Sequence, residues 1–209
     1  MIDYRYWKPL AAISFWGASF VMTKICLNVL SPVGLITLRF LLGVLFLLGL
    51  KWKLGFSLIT STRERRHLIM LALVSVLHLW IQVTGLKYTS AANTGWIMGF
   101  TPVLMAVLGL WIFKERLHRS QVIGIMLAFV GLILLISRGD LSRISLINNR
   151  GDFLVLGSTL TWAVYSAINK QLSLSLSPLT TIFWLFHLMT LILIPFSLNE
   201  IIHLPYSRF

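Results

Sequence analysis

The sequence lacks most of what a disulfide-stabilised protein or a hydrolase needs. Cys26 is the single cysteine among 209 residues, so no internal disulfide can form. None of the six acidic residues lies inside an apolar run, although Asp152 begins one. We find no His-Glu-x-x-His motif, no pair of aspartates at membrane depth and no Walker pattern, so metal-dependent proteolysis, acid proteolysis and direct coupling to ATP are not indicated. No cofactor and no metal site are predicted, and the sequence does not indicate an enzyme.

Charge is also scarce, whereas apolar residues are abundant. Charged residues make up 11% of the chain and hydrophobic residues 57%, and the mean hydropathy is +0.87. A soluble domain needs more polar surface than this. The net charge of +12 would suit nucleic acid, but the basic residues cluster in short connections between apolar runs, as in loops that face the cytoplasm and its anionic lipids. We therefore predict an all-α, polytopic integral membrane protein that is surrounded by lipid bilayer and has no nucleic-acid partner.

Apolar runs of membrane length indicate about seven transmembrane helices of ~20 residues each. Their predicted bounds are Leu10–Leu30, Pro32–Leu50, Leu68–Leu86, Thr94–Phe113, Gln121–Ser137, Asp152–Asn169 and Pro178–Leu198. Pro102 predicts a kink in the fourth span. With the N-terminus inside, the inner connections hold 11 Lys and Arg residues and the outer ones hold 5. The positive-inside rule therefore predicts a multi-pass protein of the plasma (inner) membrane with a cytoplasmic N-terminus.

An internal repeat relates the first two spans to the last two. A shift of 146 residues aligns them without a gap and gives 11 identities over positions 10–48. The informative matches are residue types that are rare or position-specific in lipid, namely Trp16 with Trp162, Lys24 with Lys170, and Ser31-Pro32 with Ser177-Pro178. Five predicted helices separate the two starts, and because five is odd the second unit enters the membrane from the opposite side. Inverted repeats of this kind underlie many secondary transporters, and here the second unit is incomplete, with two helices.

Several short motifs occur in an order and spacing that resemble one EamA domain of the drug/metabolite transporter superfamily. They are Phe15-Trp16-Gly17-Ala18-Ser19-Phe20 leading to Lys24, Ser31-Pro32 followed by Leu38-Arg39-Phe40, the run Gly85-Leu86-Lys87-Tyr88-Thr89-Ser90-Ala91-Ala92, Thr101-Pro102 in an apolar helix, and Lys114-Glu115-Arg116-Leu117 at its end. The resemblance implies a ten-helix fold of paired inverted five-helix units that moves small metabolites. On this basis residues 1–140 form the first unit, and residues 151–209 form a two-helix part of the second.

Polar and aromatic side chains recur on one face of several spans, at the i, i+4, i+7 spacing of a helix. A single Ser or Thr at such a position more often holds helices together. Four such stripes, two of them repeat-related, favour the wall of a central substrate cavity, conditional on the family fold. The candidate cavity residues are Trp16, Ser19, Thr23, Lys24, Arg39, His78, Gln82, Thr94, Met98, Thr101, Trp162, Tyr165 and Asn169.

Three of these side chains have alternative interpretations. Lys24 and Arg39 lie about 9–10 Å from the same membrane face on adjacent helices, from the 1.5 Å rise per residue. Each either snorkels toward the interface or lines an outward vestibule that attracts an anionic substrate. His78 either relays protons or forms a hydrogen bond across the bundle, which is the commoner role.

The function that these patterns favour is transport of small polar organic metabolites by alternating access. The alternative is a truncated, non-transporting remnant, or a subunit that a second copy or another chain completes. An incomplete second unit would leave one cavity wall open to lipid.

Overall fold

A computed structural model describes residues 7–112, 114, 118–137, 149–172 and 175–203. In this part of the chain there are eight helices: α1 (Trp7–Cys26), α2 (Pro32–Leu54), α3 (Thr62–Tyr88), α4 (Ala91–Met98), α5 (Thr101–Ile112), α6 (Arg119–Ser137), α7 (Arg150–Leu172) and α8 (Pro178–Ile202). Helices α4 and α5 are two halves of the predicted fourth span, so the helices occupy the seven predicted spans. Glu115, Arg116 and Leu117 of the quoted motif, the predicted boundary at residue 140 and the chain beyond residue 203 lie outside the described residues.

Five segments are long and apolar enough to cross a membrane, within the part of the chain that the structure describes. They are Trp7–Cys26, Pro32–Leu54, Thr62–Tyr88, Ala91–Trp111 and Pro178–Ile202. Helix α6 contributes a shorter apolar stretch. Helix α7 has the length but a more polar sequence, and its Asp152, Ser158 and Thr159 are fully buried. The prediction of an all-α, polytopic membrane protein is confirmed, with α7 as a helix that packs its polar groups inside the bundle.

Serine caps begin four of the helices. The hydroxyl of Ser31 accepts the backbone N–H of Gly34 at 3.0 Å, and the hydroxyl of its repeat mate Ser177 accepts that of Thr180 at 3.2 Å. Ser61 and Ser90 act in the same way for α3 and α4. A cap of this kind pairs N–H groups that have no partner within the helix, and proline at the next position lacks the N–H altogether. The Ser-Pro frame of the repeat is therefore a helix-start signal.

The fourth span is broken rather than bent. Helix α4 ends at Met98 and α5 starts at Thr101, so the break precedes the predicted kink site Pro102 by a few residues. A continuous helix would need a bond from the N–H of residue 102 to the carbonyl of Met98, which proline cannot donate. The hydroxyl of Thr101 donates to that carbonyl instead, at 2.6 Å.

Helices α2 and α8, which the repeat makes equivalent, pack along their lengths in opposite directions. Ser31 at the start of α2 donates its backbone N–H to the carboxylate of Glu200 near the end of α8, at 2.5 Å. At the other end, the hydroxyl of Thr180 donates to the carbonyl of Ser57, just beyond α2, at 2.7 Å. The antiparallel pair agrees with the inverted repeat that the sequence predicts.

The helix ends form two opposite faces of the bundle, which we name the α2-start face and the α2-end face after the end of α2 that lies there. At the α2-start face lie the ends of α1, α3 and α8 and the start of α7. At the α2-end face lie the starts of α3 and α8, where the hydroxyl of Ser175 donates to Glu64 at 2.7 Å. Between the faces, α3 packs mainly on α7 and α8, and its Leu68, Leu71 and Leu86 are fully buried. Helix α1 lies at the edge and has no buried residue among those described.

Candidate functional site

A cavity of about 700 Å³ opens among α1, α2, α3, α7 and α8. This volume is within the range of small-molecule sites, about 300–1,000 Å³. Eight of the predicted cavity residues line it: Trp16, Ser19, Thr23, Arg39, His78, Gln82, Trp162 and Tyr165. The structure thus brings these residues together, and their binding of a substrate stays a prediction.

Repeat-related residues meet across this cavity. The rings of Trp16 and Trp162 have centroids 6.5 Å apart, and those of Phe40 and Phe186, which are also 146 positions apart, are 4.8 Å apart. A residue that contacts its own repeat mate lies on the axis that relates the two units. The cavity therefore lies on the pseudo-two-fold axis.

Aromatic rings form one wall of the cavity. Trp162 stacks on Tyr165 one helical turn later, with centroids 5.2 Å apart and an angle of 23° between the planes. The ring of His78 lies 5.1 Å from that of Trp162. Together with Trp16 of α1, whose ring lies beside that of Trp162, three helices contribute to an aromatic surface that suits the face of a flat or apolar ligand.

His78 is held by α7. Its Nδ1 lies 2.9 Å from the carbonyl oxygen of Ser158. Because a carbonyl only accepts, Nδ1 carries the proton and donates it. This contact matches the hydrogen-bond interpretation of His78 and fixes its ring against Trp162. One helical turn after His78 on α3, Gln82 donates Nε2–H to the sulfur of Met98 at 3.4 Å.

Arg39 contributes the positive charge of the cavity wall. It is on α2, one residue before Phe40, and it lines the cavity. The described residues offer its guanidinium no hydrogen bond or ion pair. Its five N–H donors are therefore available to a ligand or to water.

Lys24 has a different environment from the one the sequence suggested. Its Nζ donates to the carbonyls of Leu86 and Lys87, at 2.9 and 3.0 Å, and it is not among the residues of the cavity wall. The last carbonyls of a helix have no partner within it, and a cation there also complements the helix dipole. Lys24 caps α3 and fastens α1 to it, a role different from both snorkelling and the vestibule.

The remaining four predicted residues lie away from the lining. Thr94 is fully buried, and its hydroxyl has no hydrogen-bond partner within the described ranges. Met98 lies behind Gln82, Thr101 caps the break between α4 and α5, and Asn169 is exposed near the end of α7. Asn169 is on the same helix as the lining residues Trp162 and Tyr165 but lies near its end, whereas no described residue of α4 or α5 lines the cavity.

Sequence reasoning missed the contribution of α8 to the wall. The missed residues are apolar: Ile182, Leu185, Phe186 and Met189. A search for polar stripes passes over them. The repeat itself carried a signal, because Phe186 aligns with Phe40 and Ile182 with Ile36.

A second polar cluster, away from the cavity, joins α3, α4 and α7 at the α2-start face. The carboxylate of Asp152 is fully buried and accepts the hydroxyl of Thr89 at 2.5 Å and the side-chain amide of Asn93 at 2.6 Å. Nearby, α3 and α7 approach so closely that a Cβ on Gly151 would lie 2.6 Å from the carbonyl oxygen of Gly85. These contacts hold α7 in place. In the described part of the chain, no group of three or more His, Cys, Asp or Glu side chains is placed to hold a metal ion.

Comparison with known proteins gives related transporters. An uncharacterized transporter of Archaeoglobus fulgidus is 35% identical over 185 residues, which are 88% of this chain and 63% of that protein. The uncharacterized transporter YyaM of Bacillus subtilis is 29% identical over 80% of this chain and 56% of its own length. The uncharacterized inner membrane transporter YhbE of Escherichia coli is 26% identical over 87% and 59%. The chain thus spans about three fifths of the length of these relatives.

No solved structure matches the chain. The model of the EamA-like transporter family matches residues 8–137 and 149–207. This match covers nearly all of the sequence and agrees with the resemblance seen in its motifs. The chain belongs to the EamA-like transporter family.

Proposed function

We propose that the protein transports small polar organic metabolites by alternating access between its two inverted units. The observation that carries the proposal is the position of the cavity between the repeat mates Trp16 and Trp162, and Phe40 and Phe186. Inverted-repeat transporters bind substrate at the interface of their repeats. Rocking of one unit against the other then changes the side from which such a cavity opens.

Flux into proteoliposomes tests this proposal. The purified chain is reconstituted, and uptake is measured for a labelled panel of amino acids, organic acids and organic amines. We expect saturable flux of at least one class, and we expect Trp162→Ala to abolish it, because this substitution removes the central ring of the aromatic wall. Val164→Ala, on the exposed side of the same helix, is the control. A folded protein that moves no member of the panel contradicts the proposal.

Accessibility tests the alternating mechanism. Ser75 lines the cavity, and Cys26 is the single natural cysteine, so Ser75→Cys is placed in a Cys26→Ser background. An impermeant thiol reagent is added on one side of the membrane and then on the other. We expect labelling from both sides, and protection on both by a transported substrate. Labelling from one side alone under all conditions is incompatible with alternating access.

The charge of the two faces supports a proposal for the orientation in the membrane. The α2-end face carries five cations in two short segments: Lys51, Lys53, Arg63, Arg65 and Arg66. The positive-inside rule places this face in the cytoplasm, and α1 begins on the same side. The proposal is therefore an inner-membrane protein with a cytoplasmic N-terminus. An impermeant thiol reagent added outside intact cells tests this orientation. If it labels Ser57→Cys at the α2-end face but not Asn28→Cys at the α2-start face, the orientation is the opposite one.

A second candidate function is that of a subunit completed by a further helical segment from a partner chain or a second copy. Helix α1 has no buried residue in the described part, whereas its repeat mate α7 has six. The exposed side of α1 carries Phe15 and Met22. Cross-linking from Met22→Cys in native membranes tests this candidate: a specific adduct supports a partner, and a chain that transports as a cross-link-free monomer contradicts it.

A further inference from the structure

The charge of the cavity wall is concentrated at one position. Of the described residues that line the cavity, Arg39 is the only Lys or Arg, and none is Asp or Glu. Lys24, which the sequence places at the same depth, has its ammonium bonded to two carbonyls of α3. An anion that enters the cavity therefore meets a single guanidinium and no competing carboxylate in its wall.

The rest of the wall is mostly apolar or aromatic, and its polar members are Ser19, Thr23, Ser75, His78 and Gln82. Two pairs of aromatic repeat mates meet in it. Trp16 faces Trp162 and Phe40 faces Phe186. The repeat mate of Arg39 is Leu185, which also lines the cavity. The charge is thus found on one side of the axis only. A ligand that matches this wall has an anionic group at one end and an apolar or aromatic body.

Building on the proposed transport function, we infer that the substrate class is organic monocarboxylates with an apolar or aromatic body, and that Arg39 is the residue that binds the carboxylate. The planar fork of an arginine matches a carboxylate with two parallel hydrogen bonds. A phosphate monoester carries close to two negative charges. The described wall offers one cation, so the second charge has no ionic partner there and is costly to remove from water. The wall therefore selects the singly charged group.

Binding of two matched probes tests this inference. The probes are 3-phenylpropanoate and 3-phenylpropanamide, which have the same aromatic body and differ in charge. Their affinities are measured for the chain in lipid nanodiscs. A charge-assisted hydrogen-bond pair makes the carboxylate bind about 10- to 100-fold more tightly than the amide. Arg39→Gln should abolish this preference, Arg39→Lys should keep part of it, and Arg63→Gln, an exposed arginine at the start of α3, should leave it unchanged.

The outcomes separate this inference from the transport proposal. Equal affinity of the two probes for the wild-type chain overturns the inference, even if Arg39→Gln does not fold. A preference that survives Arg39→Gln also overturns it and indicates that Arg39 snorkels. Flux is measured in parallel: transport of neutral or cationic solutes with no carboxylate preference refutes the inference alone, whereas Arg39-dependent binding without flux of any solute supports the site and refutes transport.

Discussion

Replacing Lys24 by methionine should lower the free energy of unfolding by about 2 kcal/mol. The ammonium donates to two carbonyls of the last turn of α3, at 2.9 and 3.0 Å. A hydrogen bond to a charged group contributes about 1.5–3 kcal/mol, and a cation at a helix end adds about 0.3–1 kcal/mol. Lys24 is half-buried and its bond to Lys87 is exposed, so we count one charged hydrogen bond and use the lower end of each range. About 2 kcal/mol corresponds to a roughly 30-fold change in the folding equilibrium.

Titration with SDS in mixed micelles measures this quantity. Lys53→Met is the matched control, because Lys53 also lies in the last turn of a helix but is exposed and makes no side-chain hydrogen bond within the described ranges. It should lose only the helix-end contribution, about 0.3–1 kcal/mol.

Two results would refute the reasoning on Lys24. Equal losses for Lys24→Met and Lys53→Met would show that the carbonyl contacts contribute nothing. An unchanged stability together with weaker binding of 3-phenylpropanoate would place Lys24 in the substrate vestibule.

Three further predictions concern the contacts that position α7 and the broken span. Gly151→Ala should destabilise the fold by about 2 kcal/mol or more, because its Cβ would lie 2.6 Å from a backbone atom. Gly157→Ala has open space around its Cβ and should stabilise the fold by up to about 1 kcal/mol. SDS titration of both variants distinguishes the close approach of α3 and α7 from a general effect of replacing glycine. Asp152→Leu should lower the free energy of unfolding by about 3 kcal/mol, because it leaves the buried donors of Thr89 and Asn93 unpaired. Asp152→Asn keeps one acceptor and should lower it less. Equal losses for the two variants would argue against a contribution of these hydrogen bonds to stability. Thr101→Val should lower the free energy of unfolding by about 1–2 kcal/mol, because the carbonyl of Met98 loses its donor. No change in the unfolding midpoint would mean that another donor pairs with that carbonyl.

The features that the sequence predicted well depend on local or rare residues. Ser31-Pro32 is a helix start whatever surrounds it, because the cap and the missing N–H act within one turn. Trp16 and Trp162 stand out because the eight tryptophans of the chain are far fewer than its leucines, which match one another by chance. Their contact at 6.5 Å follows from an inverted repeat once the two units pack together.

The features that the sequence missed depend on which helices are neighbours. The acceptors of Lys24 are 62 and 63 positions away, so no local pattern names them. Thr89 and Asp152 are likewise 63 positions apart. The composition of α8 does not distinguish its apolar lining residues from lipid-facing residues of the same types. The repeat, which aligns Leu185 with Arg39, is the signal that marks them.

In the two aromatic pairs on the repeat axis, Trp16–Trp162 and Phe40–Phe186, a residue lies beside its own repeat mate. In a symmetric dimer of identical chains, such a position cannot change on one side alone, because any substitution appears twice and faces itself. A chain that contains both repeat-related helix pairs is free of that restriction. Arg39 opposite Leu185 uses this freedom, since two arginines facing each other across the axis would repel. Joining the inverted units in one polypeptide is therefore what allows the cavity to have polarity, with a charged end and an apolar end.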